Sequence, residues 1–281
     1  MSINITVAVP AYNRANELKE LIDSIVPQLN QNLHELLIVE DDSPQRNQIR
    51  EIVEGYSFPI RYLENEKNLG YDGNLRKLIR EAKGCYTLFM GNDDLLAPGA
   101  IEYYQKIISE NTEKSLGFIV RAYSEFNHYN NKIGRTIRFV NKDILLAPTE
   151  SNAAFVFRRS VAIMGMFYKT DLAKDLDTSK YDGSIYYQLW LSGNIALKHT
   201  VYVASKVTAL RRCGMKADFG NALVEKKSVG DNYWSSISFS NYVENMLSIA
   251  KDVSKENQAA LFYELVQRDF SAYSYPFLER L

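Results

Sequence analysis

Tyr86-Thr87-Leu88-Phe89-Met90-Gly91-Asn92-Asp93-Asp94 reads as a short apolar strand that runs without interruption into two adjacent carboxylates. Carboxylates just past the carboxyl end of a buried parallel strand lie where open α/β sheets bind ligands. Hard oxygen donors at that place suit Mg²⁺ or Mn²⁺ carrying a phosphorylated substrate. A structural alternative is that Asp94, followed by Leu95-Leu96-Ala97-Pro98, caps the next helix.

Outward from this stretch, strand-like and helix-like runs alternate. Ile3 to Val9 is β-rich, and Leu18, Leu21, Ile22 and Ile25 then recur at helical spacing. Leu36 to Val39 is a continuous apolar run, followed by Ile49, Ile52 and Val53 at helical spacing. Ile60 to Leu63 precedes Leu75, Leu78, Ile79 and Ala82, and Tyr86 to Met90 precedes Ile101, Tyr104, Ile107 and Ile108. Four βα units in succession predict an α/β fold, a mostly parallel sheet flanked by helices, with its functional loops at the strands' carboxyl ends. Beyond Leu116 the pattern loosens. Gly117–Tyr123, Arg135–Val140 and Ile195–Val203 read as strands, Ile185–Leu191 as helix, and Asn152–Ala162 as either. Lys206–Gly220 reads as a linker, and the chain from Asp231, with Trp234, Tyr242, Met246, Ile249, Phe262 and Phe270, as a helical extension.

Composition narrows the partners. The 281 residues are 46% hydrophobic, enough for a large core, and 33 basic residues against 34 acidic ones leave no electrostatic footprint for nucleic acid. Cys85, placed at the start of a buried strand, and Cys213 are too few for a disulfide framework or a zinc cluster. No basic leader is visible and no run approaches the ~18 apolar residues of a membrane span, so a cytoplasmic protein is expected.

The other strand-end loops carry polar groups in a consistent arrangement. Val9-Pro10-Ala11-Tyr12-Asn13-Arg14 holds neither the glycines of a dinucleotide fold nor the Gly-Lys-Ser/Thr of a P-loop. Tyr12 and Asn13 instead offer a ring face and an amide to a base and ribose, or an Asn helix cap. Glu40-Asp41-Asp42-Ser43 places three successive carboxylates at a strand end, which requires cation, hydrogen-bond or solvent compensation. Asp42 or Ser43 would cap the next helix, or a carboxylate would accept from a nucleobase N–H. Asn65 to Asn74, with Gly70 and Gly73, reads as a turn or as a ribose-side wall.

Together, Val-Pro-Ala-Tyr-Asn-Arg, Ile-Val-Glu-Asp-Asp-Ser, Asn-Leu-Gly and Phe-Met-Gly-Asn-Asp-Asp-Leu-Leu, in this order at successive strand ends, resemble a family 2 glycosyltransferase of the GT-A fold. The resemblance covers roughly the first 110 residues. It implies a nucleotide site at Pro10, Tyr12, Asn13, Asp41, Gly70, Asn74 and Asn92, with Asp41 on the base and Asn92 on the ribose. It implies metal ligands at Asp93 and Asp94, for Mn²⁺ or Mg²⁺. The family's metal motif commonly reads Asp-x-Asp-Asp, so Gly91 stands where its first carboxylate would be.

The resemblance also implies a general base well downstream, in a Glu-Asp pair at a helix start. The best match is Tyr181-Asp182, with Asp182 correctly spaced from Gly193 and Tyr181 in place of Glu. Asp182 is equally placed to cap that helix, and Asp171, Asp177 and Asp218 are the other candidates. Arg211 and Arg212, with Lys216 behind them, fall where related enzymes keep a loop near the donor diphosphate.

The expected organisation is therefore a GT-A domain over 1–220, divided into a nucleotide-binding half, 1–115, and an acceptor-side half, 116–220, with a C-terminal helical subdomain over 221–281. The expected activity is inverting transfer from a nucleotide-diphosphate sugar to a glycan or lipid-linked oligosaccharide of O-antigen or capsule type. The C-terminal helices are candidates for peripheral membrane contact or for a homodimer. A nucleotidyltransferase and a non-catalytic nucleotide- or glycan-binding subunit are the alternatives.

Overall fold

The computed structural model describes residues 4–215, 222–226 and 236–278. Lys216, Asp218 and Trp234 lie outside them. The alternation read from the sequence appears as β1 (Ile5–Ala11), α1 (Ala15–Ile25), β2 (His34–Glu40), α2 (Arg46–Glu54), β3 (Ile60–Glu64), α3 (Gly70–Glu81), β4 (Tyr86–Phe89), β5 (Leu95–Leu96) and α4 (Ala100–Glu110). After these come β6 (Leu116–Asn127), β7 (Ile133–Ile137), β8 (Ile144–Leu146), α5 (Glu150–Phe157), β9 (Met166–Lys169), α6 (Thr170–Asp175), α7 (Tyr187–Lys198) and β10 (Thr200–Cys213). Two long helices, α8 (Ser236–Asn257) and α9 (Ala260–Leu278), complete the described residues.

The strands form one mixed sheet in the order β3-β2-β1-β4-β9-β6-β10-β5, with β7 added on β6 and β8 on β10. β1 pairs in parallel with β2 and β4, and β2 with β3, so the first loops emerge at one edge. β9 runs antiparallel between β4 and β6, which brings β6 and its parallel partner β10 into the same sheet.

Both faces are covered, as the unbroken apolar strands require. In β2 the period of two sends Leu36 and Ile38 to a core with Leu18, Ile22, Ile49 and Ile101 from α1, α2 and α4. It sends Leu37 and Val39 to the opposite core, with Leu75, Leu78 and Ile79 of α3 and residues of α5 and α7. Met246, Ile249, Val253, Phe262 and Phe270 of α8 and α9 are buried in that second core. Each such side chain contributes roughly 1.5–3 kcal/mol of transfer free energy when fully buried.

Several local expectations are corrected. Leu95 and Leu96 pair with β10, and α4 starts only after Gly99, whose φ is 71°, so Asp94 caps no helix. Residues 195–198 finish α7, and Lys206–Cys213, expected as linker, continue β10 alongside β6. Polar residues of β10 are buried because they find partners, as where Thr208 shares a hydrogen bond with the Tyr104 hydroxyl at 2.8 Å. Residues 150–157 settle as helix, with Thr149 as N-cap. Cys85 is exposed rather than buried. No helix among the described residues is long and apolar enough to cross a membrane.

Candidate active site

The carboxyl ends of β1, β2 and β4 open into a cleft of about 480 Å³. Pro10, Tyr12 and Arg14 come from the loop after β1, Asp41 from the end of β2, and Asn68, Gly70, Tyr71 and Asn74 from the start of α3. Gly91 to Asp94 follow β4, and Arg211 and Arg212 end β10. Val161 to Met164, Ile185, Tyr186, Gln188 and Glu225 complete the wall. Of the residues expected in the site, Asn13 and Asp182 do not border the cleft.

Asn13 and Arg14 both have left-handed backbone, with φ of 52° and 57°, and α1 has no side-chain cap, so Asn13 shapes the turn without capping a helix. Its carbonyl and that of Tyr12 accept from Asn92 Nδ2, at 3.2 and 3.1 Å. Asn92 thus ties the β4 loop to the β1 loop.

The three carboxylates after β2 are separated by their partners. Glu40 is fully buried and accepts from the amides of Asp42 and Ser43, at 3.1 and 2.6 Å, and from Arg46. Asp42 also faces Arg46, at 3.4 Å, and neither it nor Ser43 caps α2. Asp41 Oδ1 accepts from Asn65 Nδ2 at 2.6 Å and from the Leu69 amide at 2.8 Å. Burial outweighs these bonds and pushes the Asp41 carboxyl up to about 6. Asn74 is buried beside it, donating to the Val39 carbonyl at 3.0 Å.

At the other end of the cleft, Asp93 is ion-paired with Arg14. Asp94 is buried, and its Oδ1 accepts from the Arg212 amide at 2.9 Å. Burial and the neighbouring Asp93 charge hold the Asp94 carboxyl well above the usual carboxylate range. A Cβ on Gly91 would lie 2.6 Å from Asp94 Oδ2. The absent first carboxylate of the motif is therefore a matter of space, since Asp94 fills the place.

The two arginines of β10 differ. The Arg212 side chain is only 1% exposed; it donates from Nε to the Asp93 carbonyl at 2.6 Å, pairs with Glu20 at 2.6 Å, and lies over the Phe126 ring. Arg211 is more open and pairs with Glu125 at 3.1 Å.

Asp182 gives both carboxylate oxygens to Arg76 of α3, at 2.8 and 2.6 Å. It does not cap α7, which starts five residues later at Tyr187. The Ile185 amide before α7 and the Tyr187 amide at its start instead donate to Asp72, a fully buried carboxylate of α3. Asp171 begins α6, and Asp177 joins Arg76 and Arg80. Neither borders the cleft. The functional candidates missed from sequence are Arg14, Asp72 and Glu225, whose Oε1 accepts from the Tyr71 amide at 2.7 Å.

The donor chemistry suits a hard divalent ion to a limited degree. Asp93 and Asp94 are adjacent oxygen donors, but among the described residues no group of three His, Cys, Asp or Glu side chains comes together. Such a set fits Mg²⁺ or Mn²⁺ held chiefly by substrate phosphates and water, and not a protein-only cage.

Known proteins resemble this chain in sequence and in fold. A glycosyltransferase from Haemophilus influenzae is 33% identical over 107 residues, covering 38% of this chain and 35% of that protein. The abequosyltransferase RfbV of Salmonella typhimurium is 32% identical over 113 residues, covering 39% of this chain and 34% of its own. A glycosyltransferase from Rickettsia felis is matched over 24% of its length, so the chain spans about a quarter to a third of the length of these three curated relatives. Among solved structures, S. aureus TarS 1–349 in complex with UDP superposes with a TM-score of 0.67 at 18% identity, covering 97% of this chain and 73% of that one. The mannosyltransferase PcManGT from Pyrobaculum calidifontis, in complex with GDP-Man and Mn²⁺, gives 0.56 at 14% identity, covering 97% and 76%. These likenesses establish the fold as GT-A. The family model for Glycosyl transferase family 2 matches residues 6–163, more than half of the chain, and the chain belongs to that family.

Proposed function

We propose that this chain transfers a sugar, with inversion, from a nucleotide-diphosphate donor to a hydroxyl of a glycan or lipid-linked oligosaccharide. The observation that carries this reading is the polarity of the cleft. Asp41 stands at one end and the Asp93–Asp94 pair with Arg14, Arg211 and Arg212 at the other. A nucleoside diphosphate has the same polarity. Asp41 Oδ2 accepts a nucleobase N–H while Oδ1 stays fixed by Asn65 and Leu69, Tyr12 and Asn74 flank the nucleoside, and the guanidinium groups face the diphosphate. S. aureus TarS 1–349, in complex with UDP and with UDP-GlcNAc, supports a donor of this class.

Asp93 and Asp94 would hold a divalent ion, which supplies charge neutralisation at the leaving diphosphate. With Asp93 so engaged, Arg14 would be able to donate to phosphate. Arg212 holds the Asp93 carbonyl in place, and the exclusion of water falls to Val161–Met164 and Ile185 on the cleft wall. Asp182, assigned as base from its motif spacing, accepts the acceptor proton only when its pair with Arg76 opens.

The test is release of nucleoside diphosphate from UDP-, GDP- and dTDP-sugars, with Mn²⁺, with Mg²⁺ and with a chelator. Turnover with at least one donor, reduced by about tenfold or more in Asp93→Ala, is expected. Nucleotide binding without release from any donor would instead identify a binding subunit. An Asp182→Asn variant with full turnover would remove the base assignment.

A further inference from the structure

Ile185 has a backbone φ of 63°. A β-branched side chain is strongly disfavoured in the left-handed region, and such conformations persist only where the surroundings enforce them. Ile185 is buried, on the cleft wall, immediately before Tyr186 and Gln188, which line the same cleft.

What enforces the turn is one carboxylate. Asp72 Oδ2 accepts from the Ile185 amide at 2.7 Å and Oδ1 from the Tyr187 amide at 2.9 Å, with the Ser184 hydroxyl at 3.5 Å. α7 has no side-chain cap of its own. Asp72 lies in the first turn of α3, between Gly70 and Tyr71 on one side and Asn74 on the other, all three at the nucleotide end of the cleft.

We propose that Asp72 is a positioning residue for transfer, holding Ile185 and the first turn of α7 in the strained conformation that completes the cleft wall and locking that wall to the nucleotide-binding turn of α3. The proposal rests on the cleft being a transfer site. Burial pushes the Asp72 carboxyl up to about 7, and its charged neighbours are Glu225 from the 222–226 segment, Asp182 before α7, and Arg76 on its own helix, which is turned to Asp182 and Asp177. Because burial raises it, opening the turn to water favours loss of the proton, so the hold is tested in variants at one pH.

Two measurements at one pH decide the matter. Amide hydrogen exchange needs no donor: protection of Ile185 and Tyr187, corrected for intrinsic exchange, should fall about tenfold from wild type to Asp72→Asn while β1 amides stay unchanged. Unchanged protection at both amides overturns the proposal even if turnover is found, and absence of turnover in the wild type overturns the transfer reading while leaving this result standing. In kinetics, Asp72→Asn should lower kcat about tenfold and leave UDP or GDP affinity within about twofold. Adding Ile185→Gly, which makes positive φ free of strain, should restore kcat at least in part. Wild-type kcat in Asp72→Asn, or parallel loss of nucleotide affinity, overturns the proposal. Should Asp72→Asn not fold, Ile185→Gly alone should raise Tyr187 protection about threefold with β1 amides unchanged, because the strain that opposes the closed turn is gone, and unchanged or lower protection overturns it.

Discussion

Substituting Gly91 tests why the metal-type motif lacks its first carboxylate. The φ of Gly91 is not positive, so the backbone does not itself demand glycine. The obstacle is contact: a Cβ would lie 2.6 Å from Asp94 Oδ2 and 3.3 Å from Asp93 Oδ1. Asp94 is buried, and swinging it aside breaks its 2.9 Å bond from the Arg212 amide. An unpaired buried amide costs about 1–3 kcal/mol, and overpacking a tight site costs a similar amount. The two share one relaxation and do not add in full, so Gly91→Ala should destabilise the fold by about 3 kcal/mol. At about 2–4 °C per kcal/mol, the melting temperature should fall by roughly 6–12 °C. Gly91→Asp should lose more, because it sets a third carboxylate beside a pair that already repel. Combining Gly91→Asp with Asp94→Gly, which moves the carboxylate to the family's position, should recover most of the loss. The assay is calorimetric melting of these three variants at one pH. A Gly91→Ala protein melting within about 1 °C of wild type would refute the reasoning.

Two further outcomes are expected. Arg212→Met removes the donor to the Asp93 carbonyl and the pair with half-exposed Glu20, and should cost about 2–3 kcal/mol in denaturant unfolding while lowering nucleotide affinity; unaltered stability would show that the arginine is not a brace. Asp41 is raised to about 6 in the fold from 3.8, so the folded state binds its proton more tightly than the unfolded chain. The stability linked to that proton is fully present below about 3.8 and lost as pH rises through about 6, so Asp41→Asn should be the more stable protein at pH 8 by about 2–3 kcal/mol. Its nucleotide affinity should be low and flat with pH, whereas the wild type should lose affinity as pH falls through about 6; parallel pH profiles would separate Asp41 from the nucleobase.

The first four βα units were legible because each strand is short and rich in apolar or β-branched residues and each helix repeats at three and four. β5 was not, since two leucines carry no period and become a strand only by pairing with Ala209 and Leu210 of β10. β10 itself was cut short in the sequence reading because its second half is polar, and the partners that let Thr208 and Arg212 be buried come from α4 and from the β4 loop. The site shows the same division. Asp41, Asp93 and Asp94 could be read because strand ends put them at one edge. Asp182 was read as the general base or as the cap of α7 from its place in the chain, yet the amide at the start of that helix is held by Asp72, over a hundred residues away. A signal for Asp72 did exist, since it falls three residues before Leu75 on the apolar stripe Leu75-Leu78-Ile79-Ala82, where a lone carboxylate must be buried and must find donors. Nothing local marked Arg14 or Glu225.

Acids cluster in and around the cleft although the proposed donor is itself an anion, and they are compensated in different ways. Glu40 is tied to Arg46 and two amides, and Asp182 to Arg76. Asp41 and Asp72 are held by uncharged donors in buried places, which leaves their proton affinity high and their negative charge in play. At the Asp93–Asp94 end, by contrast, Arg14 and Arg212 are already bonded to Asp93, one to its carboxylate and one to its carbonyl. A guanidinium moves from carboxylate to phosphate with little change in geometry, because both accept its paired N–H groups in the same plane. Under the proposed function, a diphosphate entering with a cation would not need to order a new set of side chains; it would exchange partners within a set the fold has assembled. On that reading the exchange would fall to Arg14, since Arg212 is buried under Phe126 and bound to the backbone.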